Sequence, residues 1–321
     1  MEHRELGNSG IRLPVIGFGC GGNARLMVED DEELRIATIR AALDAGISYF
    51  DTAAAYGDGR SESNLGRALR ILDAHPTIST KVVLQEEDLA DPRSAVLRNF
   101  EEGLARLGVD SVDALMLHNR VFHKPAGSYA VGAQLSLDDM FASNGVVAAF
   151  QELLAAGTTT TVGFTAYGGE PAAITELIDS GVFGALNASI NLLDPSALVK
   201  VPPNFPEADY GAVAAYAAGK GMGVMAIQVL ARGTLTGAGP GEGHAGRVAA
   251  LARSYDESLP RAAARYVLGK AGVSTLILGL SEPAHVADAV AAVEAGPLSA
   301  AAIASLEELA LTAPEREDGP R

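Results

Sequence analysis

The sequence predicts an α/β fold: a single (β/α)8 barrel with long loops at the C-terminal face. Three observations point to it. Eight short apolar runs recur along the 321 residues. Helical periodicity fills the segments between them. No linker rich in serine, glycine or proline divides the chain. Strands that alternate with helices eight times over roughly 250 residues or more make a barrel.

The apolar runs are residues 15–19, 47–50, 78–83, 112–117, 160–164, 185–190, 223–229 and 275–280. Their unbroken apolar character suits strands buried on both faces of a parallel sheet. Between them, Ile36, Ile39 and Leu43 share one helical face, as do Leu97, Phe100 and Leu104 with Leu107 beyond. Val147, Phe150 and Leu154 repeat the spacing. Asp91-Pro92 reads as an N-cap followed by proline at the first helical position. Gly46, Gly108 and Gly157 fall where helices should stop. The alternative, an open doubly wound sheet, should show a phosphate-binding turn after its first strand. Gly17-Phe18-Gly19-Cys20-Gly21-Gly22 is glycine-rich but lacks that spacing and opens no immediate helix. Residues 1–321 are therefore read as one domain, with active-site loops at 119–143 and 230–246 and a flexible tail at 312–321.

Composition narrows the partners. Twenty-four Lys and Arg against 40 Asp and Glu leave a formal charge of −16. So acidic a chain repels phosphate backbones, and nucleic acid is not expected. Cys20 is the only cysteine, so neither an internal disulfide nor a cysteine zinc cluster can form. The polar N-terminus has no signal-peptide core, and no apolar run nears the ~20 residues of a membrane helix. The expected compartment is the cytoplasm, without membrane partners.

In a barrel the chemistry sits at the C-terminal strand ends. The second run ends at Asp51, the third carries Lys81, the fourth ends at His118, and Tyr56 follows Asp51 on its loop. Taken singly, Asp51 fits a helix cap, Lys81 a surface lysine, Tyr56 a loop aromatic and His118 a core histidine. Together they fit one reaction. Lys81 favours the phenolate of Tyr56 and lowers its pKa, Asp51 holds Lys81 charged, and His118 hydrogen-bonds a substrate oxygen. Tyr56 then exchanges a proton with a carbonyl that receives hydride, or with the alcohol that yields it. A cofactor must carry the hydride, because no side chain does. Asp51, His118 and nearby carboxylates form no usual metal-ligand set.

Phe50-Asp51-Thr52-Ala53-Ala54-Ala55-Tyr56-Gly57, continued by Glu62, Leu65-Gly66 and Ala68-Leu69, resembles a signature of the aldo-keto reductase superfamily. Ser79-Thr80-Lys81 and Leu117-His118 resemble its lysine and histidine strands. The resemblance runs over nearly the whole chain. It implies a barrel oxidoreductase using a nicotinamide cofactor on an aldehyde, ketone or sugar, with Asp51, Tyr56, Lys81 and His118 as the catalytic tetrad.

The resemblance also implies the cofactor contacts. Gly19, Cys20 and Asp51 border the nicotinamide. Thr165 and Asn187 stand where its carboxamide binds, although Ala166 replaces the family's amide residue. Residues 226–237 resemble the loop that wraps the pyrophosphate, giving Gln228, Leu230, Gly233 and Leu235, while Ile227 stands where a tyrosine of the family often stacks on the nicotinamide. Gly279, Leu280 and Ser281 lie at the adenosine-phosphate site. The family leans to NADPH, yet no Lys or Arg occurs between Lys270 and Arg316. Either Arg232, Arg247 or Arg253 reaches over to the 2′-phosphate, or NADH is used.

Phe122, His123, Tyr129 and Phe141 on the 119–143 loop are candidate walls of the substrate pocket. The glycine-rich stretch 237–246 reads either as a cofactor clasp or as a plain surface loop. The alternative function in the superfamily is a cofactor-binding regulatory subunit of a membrane channel with little turnover.

Overall fold

Eight parallel strands close on themselves in chain order. The architecture comes from a computed structural model describing residues 1–237 and 239–312. The expected tail, apart from Thr312, lies outside the described residues. The strands are β1 (Ile16–Gly19), β2 (Tyr49–Asp51), β3 (Thr77–Val82), β4 (Val112–Leu117), β5 (Thr159–Thr165), β6 (Ala185–Ser189), β7 (Gly223–Ile227) and β8 (Val273–Gly279). Each overlaps one of the eight apolar runs. β8 pairs back onto β1, with Gly279 opposite Gly19, and Gly19 is in turn opposite Asp51 of β2.

Around the barrel lie α1 (Glu32–Asp44), α2 (Arg60–Leu72), α3 (Pro92–Leu107), α4 (Val146–Ala156), α5 (Pro171–Asp179), α6 (Val213–Gly219), α7 (Leu259–Leu268) and α8 (Pro283–Ala295). Asp91 accepts from Ser94 N ahead of Pro92, and Gly108 and Gly157 end their helices in the left-handed conformation. Gly66 on α2 faces α3 so closely that a Cβ there would lie 2.0 Å from the Leu107 carbonyl oxygen. Two further helices, Gly243–Tyr255 and Ala300–Leu311, complete the outer layer. Among the described residues, no single helix is long and apolar enough to cross a membrane.

Most of the core lies between the sheet and this helical layer. A second cluster fills the barrel: Tyr49, Met116, Ala185, Met225 and Ile277, with Leu6 and Leu13. The two leucines belong to an N-terminal antiparallel hairpin, His3–Glu5 with Arg12–Pro14: Leu6 follows the first strand and Leu13 lies in the second. Leu6 packs against Gly223 at the start of β7, so the hairpin closes the N-terminal end. The C-terminal mouth is left for chemistry.

The stretch 119–143 is not an irregular loop. Arg120–Val121 pairs parallel with Gly132–Leu135, which pairs antiparallel with Ser128–Tyr129, and a helical turn, Leu137–Phe141, follows. Buried Asn119 anchors the small sheet through both Leu84 backbone groups and the Ala133 carbonyl. Strands of two to four residues are too short to show a period in sequence. Of the 237–246 stretch, residue 238 lies outside the described residues, and residues 243–246 form the first turn of a helix that starts at Gly243.

Candidate active site

Alternation along β3 turns Ser79 and Lys81 to the same side, the barrel interior. There Lys81 Nζ donates to Asp51 Oδ2 at 2.6 Å, to the Thr52 carbonyl at 2.9 Å and to the Tyr56 hydroxyl at 3.2 Å. Three protons on the ammonium meet three acceptors. Ser79 donates to Asp51 Oδ1 at 2.8 Å, so both oxygens of that carboxylate are held. Lys81 and Asp51 are 2% and 3% exposed, which makes this a buried ion pair rather than a surface one. His118 lies edge-on to the Tyr56 ring, with centroids 5.6 Å apart. The structure thus brings all four candidate residues together.

Their electrostatics differ from simple expectation in one respect. Burial raises the Tyr56 phenol above its ordinary value, while Lys81 opposes the rise and Asp51 adds to it. The ammonium beside it is therefore a counterweight to desolvation rather than the winning effect. Burial works to lower the Lys81 value, but Asp51 and Tyr56 hold it above the usual lysine range. Burial, helped by Lys81, pushes His118 down to about 3. The imidazole is neutral at physiological pH.

Next to this group are polar atoms with nothing to bond. Thr165 Oγ1 and both side-chain atoms of Asn187 are buried without a partner, as is His118 Nδ1. Thr165 ends β5 and Asn187 lies in β6, in register with each other. Leaving buried donors and acceptors unmade costs ~1–3 kcal/mol each. A hydroxyl plus an amide that both donates and accepts is the complement of a primary carboxamide. These residues therefore fit the nicotinamide group.

The remaining candidates are placed as follows. Gly19 and Gly279 oppose each other at the ends of β1 and β8. Cys20 points its thiol into the core and spends its N–H on the Asp51 carbonyl, and burial first, then Asp51, pushes the thiol up. Ile227 and Leu230 are half-buried, and Leu235 is fully buried. Gln228 takes a left-handed conformation (φ 55°), as do Ala231, Arg232 and Gly233 beyond it. A run of non-glycine residues in that region is strained and typical of functional turns. Gln228 Oε1 accepts from Ser189 Oγ. Leu280 is buried, and Ser281 N–H donates to His285 Nδ1. Arg232 stacks its guanidinium 4.9 Å from the Tyr167 ring.

On the small sheet, Tyr129 donates its hydroxyl to the His118 carbonyl at 2.9 Å. Phe122 is half-buried, and Phe141 is 42% exposed on the outer helical turn. His123 is exposed, and its two ring nitrogens lie 3.0 Å from Glu170 and 2.8 Å from Glu176. It fastens the loop to α5 and has no ring nitrogen left for a substrate. Sequence reasoning missed Ser79, whose two-residue offset from Lys81 was the available signal. It also missed Arg120, Tyr167 and Tyr210, each lying just beyond a strand or in the loop that follows one.

Comparisons with known proteins give the family. A family model described as the aldo/keto reductase family matches residues 15–311. The chain is 29% identical over 310 residues to L-galactose dehydrogenase of Arabidopsis thaliana, covering 91% of this chain and 88% of that one. It is 27% identical over 308 residues to D-threo-aldose 1-dehydrogenase of a Pseudomonas species, covering 86% and 88%. The solved structure of aldo-keto reductase AKR11C1 from Bacillus halodurans in its holo form matches with a TM-score of 0.74, 25% identity and 99% of both chains. This chain belongs to the aldo/keto reductase family and is an NAD(P)-dependent oxidoreductase.

Proposed function

We propose that the chain exchanges hydride between a nicotinamide coenzyme and a small polyhydroxylated carbonyl or alcohol of the aldose class. The observation that carries this reading is Lys81 donating at once to Asp51 and Tyr56. The two relatives named for galactose and threo-aldose dehydrogenation support the substrate class.

The coenzyme, when bound, supplies or accepts the hydride at the mouth. Tyr56 gives its phenolic proton to the carbonyl oxygen during reduction and takes it back from the alcohol during oxidation. Lys81 stabilises the transient phenolate across its 3.2 Å contact. Asp51, fixed by Ser79, keeps the ammonium charged and aimed. Neutral His118, with Nδ1 buried, offers Nε2 to the substrate oxygen. Thr165 and Asn187 would hold the carboxamide, and the turn over 227–235 would hold the pyrophosphate.

At the adenosine end stand Gly279, Leu280 and Ser281. The neighbouring Glu282 carboxylate lies 3.7 Å from His285 Nε2. No Lys or Arg follows Lys270 among the described residues. A 2′-phosphate there meets the Glu282 carboxylate and no Lys or Arg from residues 271–312, which favours NAD(H) at least as much as NADP(H).

The test is a steady-state assay of aldose oxidation with NAD+ and with NADP+. Turnover with either coenzyme, with kcat/KM for NAD+ equal or higher, is the expected result. No turnover of any aldose or aldehyde with either coenzyme would reject the reading. A strong NADP+ preference would overturn only the coenzyme assignment.

A further inference from the structure

Two residues past His118, Arg120 sits in an aromatic cage. Its guanidinium lies 4.2 Å from the Tyr129 ring centroid and 5.3 Å from that of Tyr167. Tyr210 in turn meets the Tyr167 ring, with centroids 6.1 Å apart. Arg232 approaches Tyr167 as well. These residues stand beyond the ends of β4, β5, β6 and β7, on the His118 side of the mouth. Tyr129 ties the cage to the site through its bond to the His118 carbonyl.

The cage holds the cation without satisfying it. No side-chain hydrogen bond or ion pair involves the Arg120 guanidinium among the described residues, and its Nε is buried with no partner. Cation–π contact orients a guanidinium but uses none of its five N–H donors. This is unusual in a chain with 40 acidic residues. Glu170, three residues past Tyr167, is drawn away from the cage. His123 occupies both Glu170 oxygens, through its backbone N–H at 2.8 Å and its ring at 3.0 Å. The backbone also makes room. Gly168 has φ +75°, and a Cβ there would lie 2.6 Å from Arg120 Nε.

We infer that Arg120 is a substrate-recognition residue for a carboxylate, so that the preferred substrate is a carbonyl or alcohol that also bears an acid group. A planar guanidinium with parallel free N–H groups matches a carboxylate with two bonds. This inference rests on the oxidoreductase reading and narrows its substrate from aldoses at large to acidic ones.

The experiment uses matched pairs on the purified full chain: succinic semialdehyde against butanal for reduction, and galacturonate against galactose for oxidation. The wild type is expected to favour the carboxylate partner at least tenfold in kcat/KM, mainly through KM. Arg120→Gln should bring that ratio near one. Arg120→Lys, which keeps the charge but not the fork, should keep only part of it. Calorimetric titration of the coenzyme-loaded protein with succinate reads the same site without turnover. Saturable binding, weakened tenfold or more in Arg120→Gln, is expected. Equal kcat/KM within each pair, an unchanged ratio in Arg120→Gln, or absence of succinate binding would each overturn the inference. So would a preference for a phosphorylated partner over the carboxylated one. If neither member of any pair is turned over, the proposed substrate class fails, and the succinate titration still decides for or against Arg120.

Discussion

Tyr56 and Lys81 meet at 3.2 Å in a pocket where the lysine is also bonded to Asp51 at 2.6 Å. Desolvation raises the phenol and the ammonium works against that rise, so Lys81 eases the loss of the phenolic proton. Tyr56→Phe removes that proton and little volume. We expect kcat to fall by ~10²–10⁴-fold, as for loss of a general acid. Coenzyme affinity should stay near the wild-type value. Single-turnover rates beside a fluorescence titration separate the two, and retained turnover would exclude Tyr56 as the proton donor.

Asp51 and Lys81 form a buried pair, and removing one member strands the other charge. Asp51→Asn should destabilise the fold by ~3–5 kcal/mol. The double change Asp51→Asn with Lys81→Met should recover much of that loss in thermal or urea unfolding, while activity stays abolished. A double variant as unstable as the single one would show that the pair is not the reason for the loss.

His118 gives stability a pH dependence. Its folded value is about 3, against an ordinary 6.5. Between those limits the unfolded chain binds a proton that the folded chain refuses, so stability falls as pH drops through this window. His118→Gln carries no such proton. The stability advantage of wild type over His118→Gln should therefore shrink from pH 7.5 to pH 4.5 in urea denaturation. A constant difference would contradict a buried neutral imidazole.

Asn187 leaves its whole amide unpaired in the described structure. Asn187→Leu should therefore cost the coenzyme-free protein little stability, or even raise it, by relieving ~1–3 kcal/mol of unmade hydrogen bonding. The same change should weaken coenzyme binding by about tenfold, equivalent to ~1.4 kcal/mol. Unfolding without coenzyme and titration with it read the two effects separately. Unaltered coenzyme binding would remove Asn187 from the carboxamide site.

Gly66 lies where α2 touches α3. Gly66→Ala must push the helices apart, and overpacking of this kind costs ~1–3 kcal/mol. The site lies outside the mouth, so the midpoint of urea unfolding should shift far more than kcat.

Much of this protein is legible along the chain. Eight buried strands announce themselves as eight apolar runs, because a strand covered on both faces cannot hide its composition. Asp51, Lys81 and His118 stand out because each interrupts or ends such a run with a group that burial alone disfavours. Helix ends at Asp91-Pro92, Gly108 and Gly157 are local chemistry and need no tertiary partner. The rest depends on approach between distant residues, which the closed barrel fixes. Desolvation outweighs Lys81 at Tyr56, because the extent of burial is a property of the closed barrel. His123 is held by Glu170, just ahead of α5, and by Glu176 on it, partners that lie far away along the chain. Arg120 gains its place from Tyr129, Tyr167 and the space at Gly168, three neighbours set by loop geometry that has no period for a sequence to display.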